Sequence, residues 1–374
     1  MLFWTLGFLA LVYFLPRLWK SLASMKRQHE MAAVLPGPAG FPFIGNILDI
    51  IGGSHIGMRF FLRESARLRD EGVNVMTIII LGRVVTLPLD GEALRPLLES
   101  TEEMTKGSDY DFILPWLGTG LLLSSSWSIS DTAMAKDLGC QRDPSHPYVK
   151  AVGSYNALAQ RYAVEPWMWF APTWYLFYQR EYQKNLDILT GFTTQVIDER
   201  RKALEEGQLD FSEGEGRKTF LDMLLEMKDQ NKLSFEDIRE EVDTFMFAGH
   251  DTTASGISWI LWCLATNSDV QEKVFEEVES IFGRSDRACT MEDSKEMRYL
   301  ERCIKETMRI FPTVPIFERK LKNDFVMGKH TIPRDSEILI CPMIIHHNDN
   351  CTKDEHEVYW TDRKYALAES IFSF

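Results

Sequence analysis

The chain has 374 residues, of which 45% are apolar and 12% aromatic, so it can bury a large core, and a disordered chain is excluded. Its 55 acidic residues outnumber its 41 lysines and arginines, and the resulting net charge of −14 would repel a phosphate backbone. No stripe of basic residues interleaved with aromatics offsets this charge. We therefore expect no nucleic acid partner.

The N-terminal residues differ in character from the rest of the chain. An apolar run from Leu2 to Leu15 precedes a basic cluster that begins at Arg17. A helix needs about 20 apolar residues to cross a bilayer, and a basic flank keeps the following chain in the cytosol. We predict a membrane anchor over 1–20. A cleaved signal peptide is the alternative, but the run has no basic segment before it and no small-residue cleavage site.

A connector is predicted over 21–46, because it is basic at first and then rich in proline and glycine in LPGPAGFPFIGN. A large domain over 47–374 follows it. Phe60–Asp70 and Asp187–Leu204 have helical spacing of apolar residues. The β-branched runs Val75–Ile80 and Val84–Leu87 predict a hairpin.

The C-terminal part has a strand pattern, since polar and apolar residues alternate over Glu318–Ile345. Within it, GKHTIPRDSEILI is predicted to be a hairpin with Pro333 in the turn. The other long segments have helical patterns. The expected fold class is therefore mostly α with small β-sheets.

The most aromatic stretch is EPWMWFAPTWYLFY, Glu165–Tyr178, in which Pro166 and Pro172 break any long helix. Core packing is one interpretation. A lid over an apolar pocket, or a surface that dips into a membrane, is the other, and the sequence leaves both open.

The six cysteines are scattered, and none belongs to a CxxC pair or to a zinc-finger spacing. This pattern is typical of reduced thiols in a cytosolic environment. We expect each cysteine to be a buried structural residue, and we predict no metal ligands.

A long helix is predicted in SFEDIREEVDTFMFAGHDTTASGISWILWCLAT, with Ser234 as N-cap and Asp237 at its third position. At its centre Gly249, Asp251 and two threonines are poor helix formers, and such a cluster indicates function or a kink. Thr252 can donate its hydroxyl to the carbonyl four residues back, and Asp251 supplies a titratable group. A patch of small residues also permits close helix packing without chemistry, so both interpretations stand.

A second signal is KETMRIFPTVP, in which Glu306 and Arg309 can pair on one helix face. The E-x-x-R spacing alone has no diagnostic value, because it recurs at Glu64/Arg67, Glu92/Arg95 and Glu236/Arg239. The order of the signals is informative. AGHDTT precedes E-x-x-R, F-P-x-x-P, the strand pattern and an Asp-Arg dipeptide that ends at Arg363.

In these motifs the chain resembles the cytochrome P450 superfamily of haem-thiolate monooxygenases, and especially its family 4 of fatty-acid hydroxylases. The resemblance covers nearly the whole chain and implies the cytochrome P450 fold in an incomplete form. It implies that Asp251 and Thr252 supply protons to dioxygen, and that Ala248, Gly249 and Arg319 lie against haem b. A structural charged cluster of Glu306, Arg309 and Arg363 is implied as well.

Three departures from the family pattern qualify this resemblance. The chain ends at SIFSF, so we expect the loop with the thiolate ligand of the iron to be absent. Near Ser126 and Trp127 the helix with W-x-x-x-R is missing, which predicts an internal gap. Ala248 replaces a glutamate that forms an ester with haem in many family 4 members, so no covalent haem link is expected.

The resemblance implies a monooxygenase on the cytosolic face of the endoplasmic reticulum membrane. It would receive electrons from NADPH-cytochrome P450 reductase and hydroxylate a lipophilic substrate, a fatty acid, with dioxygen. The alternative is a non-catalytic truncated product, or a helical lipid-binding remnant without thiolate-ligated haem. A haem spectrum distinguishes these hypotheses.

Overall fold

The computed structural model describes residues 23–41, 44–103, 105–118, 146–206, 219–229, 233–283 and 285–347. This part of the chain is mostly helical with two small sheets, which confirms the predicted fold class. The predicted anchor over 1–20 lies outside it. Of the helices described, none is long and apolar enough to cross a membrane.

The chain divides into two compact units. Among the described residues, the first unit comprises those up to Ser108 and those from Ile316 to His347, and Asp109–Pro315 lies in the second. The helices of the first unit are α1 (23–32), α2 (Ile47–Ile50), α3 (Ser54–Asp70), α4 (Gly91–Glu99) and α14 (Pro342–His346). Its strands are β1 (Val75–Ile80), β2 (Arg83–Pro88), β3 (Phe317–Lys320), β4 (Phe325–Met327), β5 (His330–Ile332) and β6 (Glu337–Ile340).

The main sheet of the first unit has the strand order β1-β2-β6-β3. Strands β1 and β2 form the predicted hairpin, in antiparallel register from Val75 opposite Pro88 to Ile80 opposite Arg83. The two turn residues, Leu81 and Gly82, both have positive φ, which matches the twist of the flanking strands. The β-branched runs therefore predicted this hairpin correctly.

The predicted hairpin around Pro333 is wrong. Strand β5 pairs with β4 in a separate two-stranded sheet, whereas β6 joins the main sheet between β2 and β3. A turn does follow Pro333, but Asp335 has φ 63° and donates its backbone N–H to the Leu321 carbonyl at 2.9 Å. These contacts direct the chain into the other sheet. Ile344 and Ile345 also belong to α14 and not to a strand.

Helix α1 is held against turns of the first unit. The Arg27 guanidinium pairs with the Asp324 carboxylate, and Gln28 donates its side-chain amide to the Arg334 carbonyl at 2.8 Å. A His29 ring nitrogen lies 3.0 Å from the Gly82 carbonyl oxygen. The part of the predicted connector that forms α1 is thus fixed to the domain.

The elements described in the second unit are helices. They are α5 (Leu114–Leu117), α6 (Pro147–Val164), α7 (Ala171–Thr173), α8 (Gln179–Glu205), α9 (Phe220–Asp229), α10 (Phe235–Thr266), α11 (Ser268–Phe282), α12 (Met291–Glu296) and α13 (Arg298–Ile310). Both α3 and α8 contain the predicted helical segments and begin several residues earlier.

Helix α10 is the predicted long helix. Ser234 accepts the backbone N–H of Asp237 at 3.1 Å, and Asp237 accepts the backbone N–H of Ser234 at 2.8 Å. This reciprocal cap satisfies two otherwise unpaired donors and starts the helix at Phe235. Helices α5, α8, α9, α11 and α13 all contact α10.

The aromatic stretch Glu165–Tyr178 divides between core and surface. Met168 is fully buried, and the ring of Trp174 packs against Tyr162 and Tyr182. Five of its apolar side chains are instead largely exposed, namely Trp167, Phe170, Tyr175, Leu176 and Phe177. Core packing therefore accounts for only one side of this segment.

A charged network is buried between α8 and α10. Asp243 is fully buried, and its carboxylate accepts hydrogen bonds from Thr193 and Arg239, each at 2.5 Å. Arg239 also donates to the Trp116 carbonyl at 3.2 Å and pairs with Glu236. Burial raises the pKa of Asp243 to about 6, and the hydrogen bond from Thr193 and the charge of Arg239 oppose this shift only in part.

Because the folded-state pKa of Asp243 lies above its unfolded value of 3.8, the folded state binds this proton more tightly. The stability that Asp243 contributes should then be present below about pH 4 and be lost as the pH rises through about 6, with an amplitude of ~3 kcal/mol. Asp243→Asn should remove this dependence. Urea unfolding of both proteins from pH 4 to 7 measures it, and parallel curves would contradict the assignment.

Candidate functional site

The centre of α10 carries four of the predicted site residues, Ala248, Gly249, Asp251 and Thr252. The Thr252 hydroxyl donates to the Ala248 carbonyl at 2.7 Å, the contact that the sequence predicts. Thr252 and Ala248 are half-buried, whereas Gly249 is exposed and has nothing within 4 Å of the position where a Cβ would stand. Helix α10 is continuous from Phe235 to Thr266, and Gly249 adds no side chain to this part of it.

Asp251 lies on the same turn of α10, but its side chain is outside the part of the chain that the structure describes. Its proposed role therefore stays a prediction. The backbone places Ala248, Gly249 and Thr252 within about one helical turn of one another.

Helix α13 carries the predicted ion pair. Arg309 donates from Nε to Oε2 of Glu306 at 2.8 Å and from Nη2 to Oε1 at 2.7 Å, and the two side chains are 22% and 12% exposed. The same spacing also forms pairs at Glu64–Arg67 and Glu236–Arg239. Neither the geometry nor the spacing of this pair therefore identifies a function for it. Arg363, the third predicted member, lies outside the described residues.

Three contacts that the sequence did not predict position α13. The side chains of Met308 and Thr313 lie 3.2 and 3.3 Å from where a Cβ of Gly256 would stand, so this glycine permits close approach. Trp259 of α10 stacks on Phe311, with ring centroids 4.2 Å apart. Of these contacts, only the one at Gly256 has a signal in the sequence. A glycine inside a helix lowers the stability of the helix, so it indicates a place where another element packs closely.

The third contact is made by Glu277 of α11. Its carboxylate accepts the backbone N–H groups of Tyr299 and Leu300 at 2.7 and 2.9 Å. Met297, the N-cap of α13, provides no side-chain cap, so Glu277 replaces it from a neighbouring helix. A cap from a distant residue leaves no local sequence signal.

Arg319, the remaining predicted cofactor-binding residue, belongs to β3 of the first unit. It is 9% exposed and donates from Nη1 to the Glu103 carbonyl at 3.1 Å. An isolated antiparallel bridge pairs it with Lys106. A cation is therefore held almost out of water at the edge of the main sheet.

The described cysteines do not all follow the prediction. Cys263, Cys303 and Cys341 are buried free thiols, but Cys289 is exposed, because it lies in the loop just before α12. Burial raises the pKa of all three of these thiols. The pKa of Cys303 rises to about 11. These three thiols are protonated at neutral pH. Within the described ranges no group of three or more His, Cys, Asp or Glu side chains could hold a metal ion.

The cytochrome P450 family model matches residues 119–354. Human cytochrome P450 4V2 is 32% identical over 399 residues, which cover 88% of this chain and 75% of the human protein. The rat protein of that name is 36% identical over 407 residues, which cover 90% of this chain and 77% of the rat protein. Cytochrome P450 4c3 of Drosophila melanogaster is 30% identical over 390 residues, which cover 84% of this chain and 72% of the fly protein. The chain belongs to the cytochrome P450 family, and these relatives carry family 4 names.

Membership of this family implies a haem iron cofactor and monooxygenase chemistry. In the second unit, the open side of α10 at Gly249 leaves space beside the helix, as a flat group would need. In the first unit, the buried cation Arg319 has the charge that a carboxylate group would need.

Glu306→Gln should destabilise the protein by ~2 kcal/mol, because it leaves the half-buried Arg309 guanidinium without its bidentate carboxylate. The matched control is Glu64→Gln, which breaks a pair of the same spacing with Arg67, an arginine that is 45% exposed. This control should lower the free energy of unfolding by less than about 1 kcal/mol. Urea denaturation midpoints compare the two variants. Equal losses would show that Glu306 has no special structural role.

Proposed function

We propose that the chain is a haem-dependent monooxygenase that hydroxylates a lipophilic substrate, and that this substrate is a fatty acid. The observation that carries the proposal is the centre of α10, where the Thr252 hydroxyl contacts the Ala248 carbonyl beside the open side of Gly249. The likeness to family 4 proteins supports a fatty acid as the substrate. NADPH-cytochrome P450 reductase is the proposed electron donor.

The haem, when bound, supplies the activation of dioxygen. The residues of this chain supply space, charge and protons. Gly249 leaves the side of α10 open, and Ala248 beside it adds only a methyl group. Arg319 would hold a carboxylate of the cofactor by a charge-assisted hydrogen bond.

The hydroxyl of Thr252 acts as a hydrogen-bond donor to the helix backbone in this conformation. Because its hydroxyl hydrogen is donated to the Ala248 carbonyl, its oxygen presents lone pairs and can accept a hydrogen bond from a ligand or a water molecule. Asp251 is the proposed source that replenishes protons from solvent. Glu306 and Arg309, with Arg363 as the proposed third member, hold the framework and take no part in the chemistry.

We also propose that the protein is anchored in the endoplasmic reticulum membrane by 1–20, with 21–46 as connector and 47–374 as catalytic domain on the cytosolic side. The apolar run before a basic cluster supports this arrangement. The attachment of α1 to the first unit would hold the domain close to the membrane.

The test of the proposed function begins with the full chain purified from cells that are supplied with haem. We expect a Soret band, and a thiolate-type shift when carbon monoxide is added after reduction would show that a cysteine of this chain ligates the iron. Reductase and NADPH should then give a hydroxylated fatty acid. A protein without any Soret band would instead favour the non-catalytic lipid-binding alternative.

In the same assay, Thr252→Ala should lower product formation about a hundredfold, because the hydrogen-bonding oxygen at the open side of α10 is lost. Thr252→Ser keeps the hydroxyl and should retain most activity. The control is Thr253→Ala, which changes an exposed neighbour on the same helix. Unchanged product formation with Thr252→Ala would exclude this proton role.

Deletion of 2–20 should release most of the protein from membranes into the supernatant after high-speed centrifugation, because the apolar run is removed. This deletion leaves α1 and its contact with Asp324 intact. As a control, replacement of the exposed Phe170 and Phe177 by serine should leave pelleting unchanged. If only the second variant is released, the anchor lies in the aromatic segment.

A further inference from the structure

The first unit contains a cavity that the candidate site does not use. Its volume is about 690 Å³, and it lies between α1, the proline- and glycine-rich segment that follows α1, and the turn between β1 and β2. All of its described lining residues lie within 25–82, and the apolar ones include Met25, Ala32, Leu35, Phe41, Ile79 and Leu81. Ligand cavities in proteins typically have volumes of about 300–1,000 Å³, so this one can hold one chain of a lipid.

The polar side chains that line this cavity have partners within the protein. The Asn46 side chain accepts a backbone N–H of β1 at 3.2 Å, and the Thr77 hydroxyl lies 3.0 Å from the Thr86 hydroxyl. His29 donates from Nε2 to the Gly82 carbonyl at 3.0 Å. Among the described lining residues there is no Asp, Glu, Lys or Arg. The lining therefore suits an uncharged, apolar ligand.

Leu81 lines the cavity in a backbone conformation that does not suit a leucine. It is the first residue of the turn between β1 and β2 and has φ 47°. Side chains with a Cβ are disfavoured in this left-handed region, and asparagine or glycine is preferred at this position of the turn. The side chain is also 44% exposed, so burial within the protein offsets little of this strain. Strain of this kind in an exposed apolar residue indicates a binding function.

The position of the cavity along the chain indicates the source of the ligand. Helix α1 begins at residue 23, three residues after the predicted anchor over 1–20. Three residues span at most about 11 Å, so α1 lies close to the membrane surface when the anchor is inserted. Met25 and Phe41, which line the cavity, have exposed apolar side chains. This arrangement favours an acyl chain of the bilayer as the ligand.

We propose that the cavity between α1 and the β1–β2 turn binds one acyl chain of a membrane phospholipid, whose headgroup stays at the membrane surface. This inference rests on the membrane anchor of the proposed function and does not depend on the haem chemistry. The bound chain removes Met25, Phe41 and Leu81 from water, and this burial of apolar surface is what stabilises the complex.

The experiment uses the full chain in vesicles of a phosphatidylcholine that carries a photoreactive diazirine in one acyl chain. After irradiation, mass spectrometry should find the label on Met25, Phe41 and Leu81. Ala33→Phe fills the cavity from its exposed rim and should lower this label about tenfold, although it adds an apolar side chain to the surface. The control is Leu98→Asn, which changes an exposed leucine of α4 outside the cavity and should leave the label unchanged.

A second variant, Leu81→Asn, separates lipid binding from folding. It should lower the label about tenfold, because the cavity loses an apolar contact. It should also raise the melting temperature by about 2 °C, because asparagine is favoured at the first position of this turn. The melting temperature is measured in CHAPS, a detergent without an acyl chain that could enter the cavity. A leucine with only a structural role would instead give a lower melting temperature.

Three outcomes would overturn the proposal. Equal labelling of the wild type and Ala33→Phe would mean that lipid touches only the outer surface. A melting temperature of Leu81→Asn that does not rise would remove the evidence of strain. In a second arm, free hexadecanoic acid carries the same photoreactive group, and labelling of the cavity by this acid alone would mean that the ligand is not a phospholipid.

The absorbance of the same samples distinguishes this inference from the proposed haem chemistry. Ala33→Phe and Leu81→Asn should keep the Soret band of the wild type, because both positions lie in the lining of the cavity. A wild type that is labelled in the cavity but has no Soret band would overturn the proposed function and leave this inference standing.

Discussion

The second unit depends on one uninterrupted helix. Helix α10 runs for 32 residues, or about 48 Å, and five other helices pack against it. Its start is fixed by the reciprocal cap of Ser234 and Asp237, and no proline interrupts it. All five of these helices contact α10, so a change in its path would move them together.

This dependence explains how the candidate site is made. The open space on α10 is produced by the absence of a side chain at Gly249, at a cost of about 1 kcal/mol relative to alanine, and the helix itself is kept. Several polar side chains of the helix are hydrogen-bonded. Thr252 bonds to the Ala248 carbonyl, and Asp243 is held by Thr193 and Arg239. The candidate site and the packing therefore use different residues of one element.

The first unit works differently, because its sheet brings together residues that are distant in the chain. Strand β6 joins β2 in parallel and β3 in antiparallel register, and this placement sets Arg319 beside Lys106. The Arg83 guanidinium likewise pairs with the Glu337 carboxylate across the sheet. Charged groups that are far apart in sequence thus become neighbours through strand pairing, and burial determines how strongly they interact.

The sequence by itself determined the elements whose signals are local. Apolar periodicity, the cap at Ser234, the β-branched runs around Gly82 and the spacing of Glu306 and Arg309 act over a few residues, and each forms as predicted. Only the tertiary structure decided which strands pair, so the turn at Pro333 joins two sheets and not one hairpin. It also decided that Cys289 is exposed, that Glu277 caps α13 and that Lys106 lies opposite Arg319. These outcomes depend on burial and on contacts between distant segments, which no local pattern encodes.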